Sequence, residues 1–287
     1  MRLPKIFEQK PKKGRAKEAE EPEPEEPRMP KTPELPPHDF ALLGLRYDKT
    51  QTLRRGAGKA PPILRKVFPK LETYIFGVDL TASSLDDLGD VITSSEKELH
   101  QQTAVRLAST KKFPIILGGE HSVSLAAVKA LKPDKVVILD AHPDCEASEG
   151  HNGVTRKIAE VVGHENVILF GTRVASAAED AYLRSSGIRV IQDVRDLRRL
   201  SGKIYLSVDL DVLDPSIMPS VGNPEPMGLD FAEVSQAIQA VAPNLIGVDF
   251  VEFTPIEDSN FTGIHALIAG KLVYSSMAAI VRAKSQK

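Results

Sequence analysis

Cysteine is almost absent from this chain: Cys145 is the one example in 287 residues. A lone thiol rules out an internal disulfide framework and fits a reducing compartment, so the expected location is cytoplasmic. Excess charge of either sign is missing too. The formal net charge is -2, which gives no electrostatic case for nucleic-acid binding. No uninterrupted apolar run reaches bilayer-spanning length and the N-terminus lacks a signal-peptide core, so no membrane partner is expected. What the chain does have is length and a 41% hydrophobic share, enough for one large α/β domain or two small ones.

Residues 1–37 hold nine of the 21 prolines and almost no large apolar side chains. Lys10, Lys12, Lys13, Arg15 and Lys17 precede Glu18, Glu20, Glu21, Glu23, Glu25 and Glu26. Such a segment cannot bury enough apolar surface to offset its chain entropy and is expected to be a disordered, charged, Pro-rich tail. A basic docking arm for an anionic surface is the alternative. A single domain is expected over 38–287.

Within it, strand-like runs at 40–45, 113–117, 135–139, 167–170, 188–192, 203–208 and 245–250 alternate with helical patterns. The helices are expected over 60–67, 94–107, 122–131, 154–162, 175–185, 231–241 and 260–282, with a small strand-like island at 88–91. Strand–helix alternation with short connections implies an α/β fold with a mostly parallel sheet covered on both faces.

Four of these strands run into polar clusters. Val136-Val137-Ile138-Leu139 leads into Asp140-Ala141-His142-Pro143-Asp144, and Pro114-Ile115-Ile116-Leu117 into Gly118-Gly119-Glu120-His121-Ser122. Ile204-Tyr205-Leu206-Ser207-Val208 leads into Asp209-Leu210-Asp211, and Ile246-Gly247-Val248-Asp249-Phe250 into Val251-Glu252-Phe253. Each cluster alone reads as a turn or a helix cap, with Ser122 or Ser124 capping the helix that follows. In a parallel sheet, however, all four lie along one edge, the edge where open α/β sheets bind ligands. Two histidines and at least four aspartates gathered there would repel and desolvate at high cost without a cation. A carboxylate-rich donor set favours a harder metal such as Mn²⁺, and six side-chain ligands suit two ions roughly 3.5–4 Å apart.

Taken in order, these clusters resemble the motifs of the arginase/agmatinase (ureohydrolase) family. The resemblance covers residues 40–285 and includes Tyr47-Asp48, Leu88-Gly89-Asp90-Val91 and Gly171-Thr172-Arg173. It implies an arginase-like three-layer α/β/α fold, a cofactor of two Mn²⁺, and hydrolysis of a guanidino compound to urea and an amine. By the same resemblance, His121, Asp140, Asp144 and Asp209 would hold one manganese, and His142, Asp140, Asp209 and Asp211 the other. Glu252 would accept hydrogen bonds from the substrate guanidinium and His151 would relay protons to the leaving amine. Asp144, His151 and Glu252 are thus the expected catalytic residues, in a homo-oligomer (trimer or hexamer). No metal ligand is missing, which argues against a non-catalytic regulator on the same fold. A histidine-rich deacetylase motif set is absent, as are cations placed for a phosphoester.

The chemistry needs such a centre. A guanidinium is a resonance-stabilised cation with a pKa near ~13.8 and is a poor electrophile. A strong nucleophile at neutral pH and a proton for the departing amine are both required.

Between Asp144 and His151 the loop is short and carries Glu146 and Glu149. Arginases use a longer loop, rich in Ser, Thr and Asn, for the amino-acid end of arginine. Two acids suit a neutral or cationic tail, so agmatine is the expected substrate, bound by Glu252, His151, Glu146 and Glu149. Arg156, Lys157 and Arg173 keep arginine or another guanidino acid open, formimidoylglutamate included. Glu120, where many members have Asp, and the Asn223–Gly228 loop, less Gly-rich than usual, bear on substrate rather than chemistry.

Overall fold

Residues 38–256 and 260–285 are described by the computed structural model. The charged segment 1–37 lies outside the described residues. Elements run β1 (Phe40–Leu45), α1 (Ala60–Val67), β2 (Tyr74–Ile75), β3 (Val78–Asp79), β4 (Leu85–Val91) and α2 (Glu96–Ala108). Next come β5 (Phe113–Leu117), α3 (Val123–Leu131), β6 (Lys135–Leu139), α4 (Val154–Val162), β7 (Val167–Phe170) and α5 (Ala177–Ser186). The last are β8 (Arg189–Ile191), α6 (Val194–Leu197), β9 (Ile204–Asp209), α7 (Phe231–Val241), β10 (Leu245–Val251) and α8 (Asn260–Lys284).

The inner strands form because their residues are apolar on both faces. Every residue of β1, β5 and β9 is buried. Side chains alternate across the sheet: Phe40 and Leu42 enter one core, Leu43 and Leu45 the other. An eight-stranded sheet results, in the order β4-β1-β5-β10-β9-β6-β7-β8, with all its pairings parallel. Its edges are guarded by composition. Edge strand β4 reads Leu-Asp-Asp-Leu-Gly-Asp-Val and is half exposed, while β8 has three residues. Helices α1, α7 and α8 pack together on one face and α2, α3 and α4 on the other, giving three α/β/α layers.

Several elements differ from the sequence-based expectation. The island at 88–91 extends back to Leu85, because pairing with β1 recruits polar residues that carry no apolar pattern. The hairpin β2–β3 has two residues per strand, too short for any periodicity, and turns through Phe76 and Gly77, both at positive φ. Neither Ser122 nor Ser124 caps α3. Ser122 Oγ donates to Glu120 at 2.7 Å and Ser124 Oγ meets Ser207 Oγ at 3.1 Å, so both belong to polar networks instead. Within α8, Gly263–Lys284 does match a membrane span in length and composition. Yet 72% of that window is buried inside the molecule, where the helix packs on α1 and α7, so the apolarity serves the core.

Candidate metal centre

The four strands that end in polar clusters, β5, β10, β9 and β6, are consecutive neighbours in the middle of the sheet. Their loops are stitched together by main-chain bonds: Gly118 N to Phe250 O (2.8 Å), Glu120 N to Tyr47 O (2.8 Å) and Glu252 N to Gly119 O (2.9 Å). Two of the residues in question sit in left-handed backbone, Asp144 at φ 46° and Glu252 at φ 64°. Such geometry is disfavoured for a side chain of Glu's length and is tolerated where surrounding structure enforces it.

Two His–Asp groups form at this edge and share one carboxylate, the first buried and the second with a half-buried histidine. His121 Nδ1 lies 3.0 Å from Asp140 Oδ2 and 3.2 Å from both Asp144 Oδ2 and Asp209 Oδ2. On the other side, His142 Nδ1 is 2.9 Å from Asp211 Oδ2 and 3.7 Å from Asp140 Oδ1. Asp140 therefore turns one oxygen to each histidine. Main-chain amides hold the carboxylates in place: Asp140 Oδ1 accepts from His142 N, Asp209 Oδ1 from Asp211 N, and Asp211 Oδ1 from Ala141 N.

A second layer sets the ring orientations. His121 Nε2 meets Ser207 Oγ at 3.1 Å, and Ser207 donates to the buried Asp249 at 2.6 Å, which also accepts from Tyr205 at 2.6 Å. With Nε2 donating into that chain, Nδ1 faces the carboxylates; burial opposes the imidazolium, but Asp140, Asp144 and Asp209 outweigh it and raise the imidazole well above its ordinary range. On the second ring, His142 Nε2 meets Asn223 Nδ2 at 3.0 Å, with Glu225 Oε1 at 3.6 Å.

Electrostatically the cluster is strained without a counter-ion. Burial, then the charges of Asp211 and Asp144, raise the Asp140 carboxyl to about 6. Burial, Asp211 and Asp140 push Asp209 well above the carboxylate range. Burial opposes the His142 cation, but Asp140 and Asp211 outweigh it and lift the imidazole to about 12. The group holds on to protons because nothing else offsets its charge. Two atoms test whether a cation fits here. His121 Nδ1 and Asp140 Oδ2 are both buried, close together, and without a hydrogen bond of acceptable geometry among the described residues. Oxygen and imidazole donors converging on a shared carboxylate are a donor set for divalent ions.

Around the two His–Asp groups lies a cavity of about 200 Å³, lined by His142, Asp144, Glu146, His151, Asp211 and Glu252 among others. A larger one of about 420 Å³ between α7 and α8 is lined by Arg198, Arg282 and alanines, and it holds no hydrolytic group. Glu252 Oε1 accepts from His121 N at 2.7 Å and Oε2 from Gln51 Nε2 at 2.6 Å; burial raises its carboxyl to about 8. His151 is fixed by Thr50, whose Oγ1 accepts from His151 N at 2.9 Å and lies 3.3 Å from Nδ1. Because Thr50 gives its own proton to Glu120 at 2.7 Å, the proton in the 3.3 Å contact belongs to Nδ1, which leaves Nε2 free to exchange one.

A chain with this sheet and this centre invites one comparison, and a profile of the arginase family matches residues 38–279. The chain belongs to the arginase family. It is thus a hydrolase acting on amidines, and the family's fold implies a dinuclear metal site. Family relatives include the N(1)-aminopropylagmatine ureohydrolase of Thermococcus kodakarensis, 33% identical over 85% of this chain and 91% of that protein. The agmatinase of Pyrococcus horikoshii is 32% identical over 79% of this chain and 88% of its own. Among solved structures, the agmatine ureohydrolase of Thermoplasma volcanium superposes with a TM-score of 0.75 at 31% identity, covering 85% of this chain and 90% of that one.

Of the residues expected at the site, this arginase-family centre brings together His121, Asp140, His142, Asp144, Asp209, Asp211, His151 and Glu252. Glu146 stands at the rim and accepts from Asn152 Nδ2 at 2.6 Å. Glu149 is not brought in: its carboxylate is 95% exposed, pairs with Lys157 at 2.7 Å and faces a different depression. The ion pair with α4 draws it outward, which sequence spacing could not reveal. Cys145 is buried, and burial followed by Glu179 and Asp144 pushes its thiol up to about 12, so it is inert at neutral pH. Gln51 and Glu179 also line the cavity and were not anticipated, while Asn223 belongs to the loop expected to bear on substrate and contacts His142. An amide in a loop carries no sequence signal until its neighbours are known, and the Ser176–Glu179 capping box marks the start of α5 rather than a site.

Proposed function

We propose that the chain hydrolyses agmatine to putrescine and urea at a dinuclear manganese centre. The observation that carries this reading is the pair of His–Asp groups sharing Asp140 at the base of an acid-lined cavity, in a chain of the arginase family. His121, Asp140, Asp144 and Asp209 would hold one ion; His142, Asp140, Asp209 and Asp211 the other. When bound, the two cations would neutralise the carboxylates and lower the pKa of water enough to supply a nucleophile at neutral pH.

The protein's own groups do the rest. Glu252 keeps lone pairs free beyond its bonds to His121 N and Gln51, and these accept from the guanidinium, whose positive charge favours the ionised carboxylate against the effect of burial. Attack on the guanidinium carbon leaves a tetrahedral centre whose amine departs only when protonated. His151, with Nδ1 tied to Thr50, takes up at Nε2 a proton from the water consumed and delivers it to the departing amine. Water is consumed, and the products are urea and a free amine.

Glu146 at the rim supports a cationic substrate tail over a carboxylate. A longer polycationic tail is the second reading, favoured by that acid together with the similarity to an N(1)-aminopropylagmatine ureohydrolase. A trimer or hexamer in the cytoplasm completes the proposal, and light scattering tests the assembly. Urea release from agmatine, N(1)-aminopropylagmatine, arginine and formimidoylglutamate, with manganese content measured on the same preparation, tests the function. Turnover of arginine well above both agmatines would overturn the substrate, and absence of bound metal would overturn the chemistry.

A further inference from the structure

Arg173 follows β7 and touches neither the cavity nor either histidine, yet three segments of the centre meet on it. Its side chain donates to six main-chain carbonyls. Nη2 reaches Asp211 O at 2.9 Å, Leu213 O at 3.5 Å and Glu225 O at 2.7 Å. Nη1 reaches Val212 O at 3.1 Å and Gly171 O at 3.4 Å, and Nε reaches Pro226 O at 3.0 Å. Its own amide donates to Ala141 O at 2.9 Å, between Asp140 and His142, and Ala141 N donates in turn to Asp211 Oδ1 at 3.1 Å. The loop it grips at Glu225 and Pro226 also carries Asn223, which contacts His142 Nε2.

This fan is one-sided. The side chain grips the segment bearing Asp211 and the loop behind His142, while the main-chain amide of Arg173, which no substitution there removes, holds Ala141 between Asp140 and His142. His121 is held elsewhere, by Ser207, Asp249 and the bond from its amide to Glu252. Asp144 O accepts from Thr155 N at the start of α4. We propose that Arg173 is the positioning residue for one half of the metal centre, the His142–Asp211 side; the shared Asp140 is anchored by its amide to Phe170 O and Asp209 by its place in β9, so the His121 side is left unaffected. A planar guanidinium with five N–H donors can serve carbonyls from three directions at once; an ammonium of equal charge cannot.

The inference rests on the metallohydrolase reading above, and its test separates the two. Chains purified with excess manganese are dialysed into metal-free buffer, and the metal per chain is then measured by plasma mass spectrometry and calorimetric titration. Wild type is expected to hold two ions. Arg173→Ala should keep one at wild-type affinity and bind the second roughly 10–100-fold more weakly. Arg173→Lys, with the charge but not the fork, should move the same way by a smaller factor, and it carries the test if the alanine variant does not fold. Loss of both ions in parallel, or retention of both at wild-type affinity, overturns the clamp alone. A wild-type chain that binds no ion overturns the metallohydrolase reading and the clamp with it.

Discussion

Asp209 and Asp140 are buried acids whose protons are held by burial and by one another, and this makes their roles separable from packing. Asp209→Asn keeps an acceptor for Asp211 N and removes a carboxyl whose charged form burial disfavours. The metal-free variant is expected to melt no lower than metal-free wild type, while manganese binding and urea release are lost. A variant that melts lower and still turns over would refute the ligand role. Asp140→Ala should also lose both, since its two oxygens face both histidines. The pH dependence follows from the same carboxyl. Its pKa of about 6 is above the ordinary value, so its contribution to metal-free stability is present at low pH and lost as pH rises through about 6. Below that pH a proton competes with the cation for the same oxygens. Manganese affinity should therefore fall as pH is lowered through about 6, with proton release on binding, measurable by calorimetry in buffers of different ionisation enthalpy.

At the scale of elements, the loop between β5 and α3 owes its path to glycine. A Cβ on Gly119 would stand 2.0 Å from Tyr47 O, a main-chain atom that cannot swing away. Gly119→Ala should destabilise the fold by roughly 1–3 kcal/mol and lower metal content, because the displaced segment carries Glu120 and His121. Gly263 in α8 is the contrasting case, where an added Cβ meets nothing within 4 Å among the described residues. Gly263→Ala should stabilise by roughly 0.5–1 kcal/mol through helix propensity, seen as a raised midpoint in thermal melts. The inner strands and long helices were legible beforehand because their apolar periodicity is a local property. The β2–β3 hairpin and the first half of β4 were not, since two-residue strands and an acidic edge strand are defined by their partners.

For the molecule as a whole, the proposed ligand set, assembled from the ends of three strands, β5, β6 and β9, would couple metal to folding. Each ion present at a hundredfold excess over its dissociation constant should add about 2.7 kcal/mol to stability. A rise in melting temperature with manganese, absent in Asp209→Asn, checks this.

Local sequence was sufficient for the alternation of strand and helix, the four polar clusters and the types of donor they offer, since each depends on residues a few positions apart. That His121, Asp140, His142, Asp144, Asp209 and Asp211 stand together required the order β5-β10-β9-β6, in which strands more than a hundred residues apart become neighbours. The same long-range packing turned Glu149 outward to Lys157, placed Gln51 on Glu252, and gathered three loops around Arg173. Side-chain chemistry is written residue by residue, whereas convergence depends on contacts between distant segments, and those exist only once the sheet has closed its order.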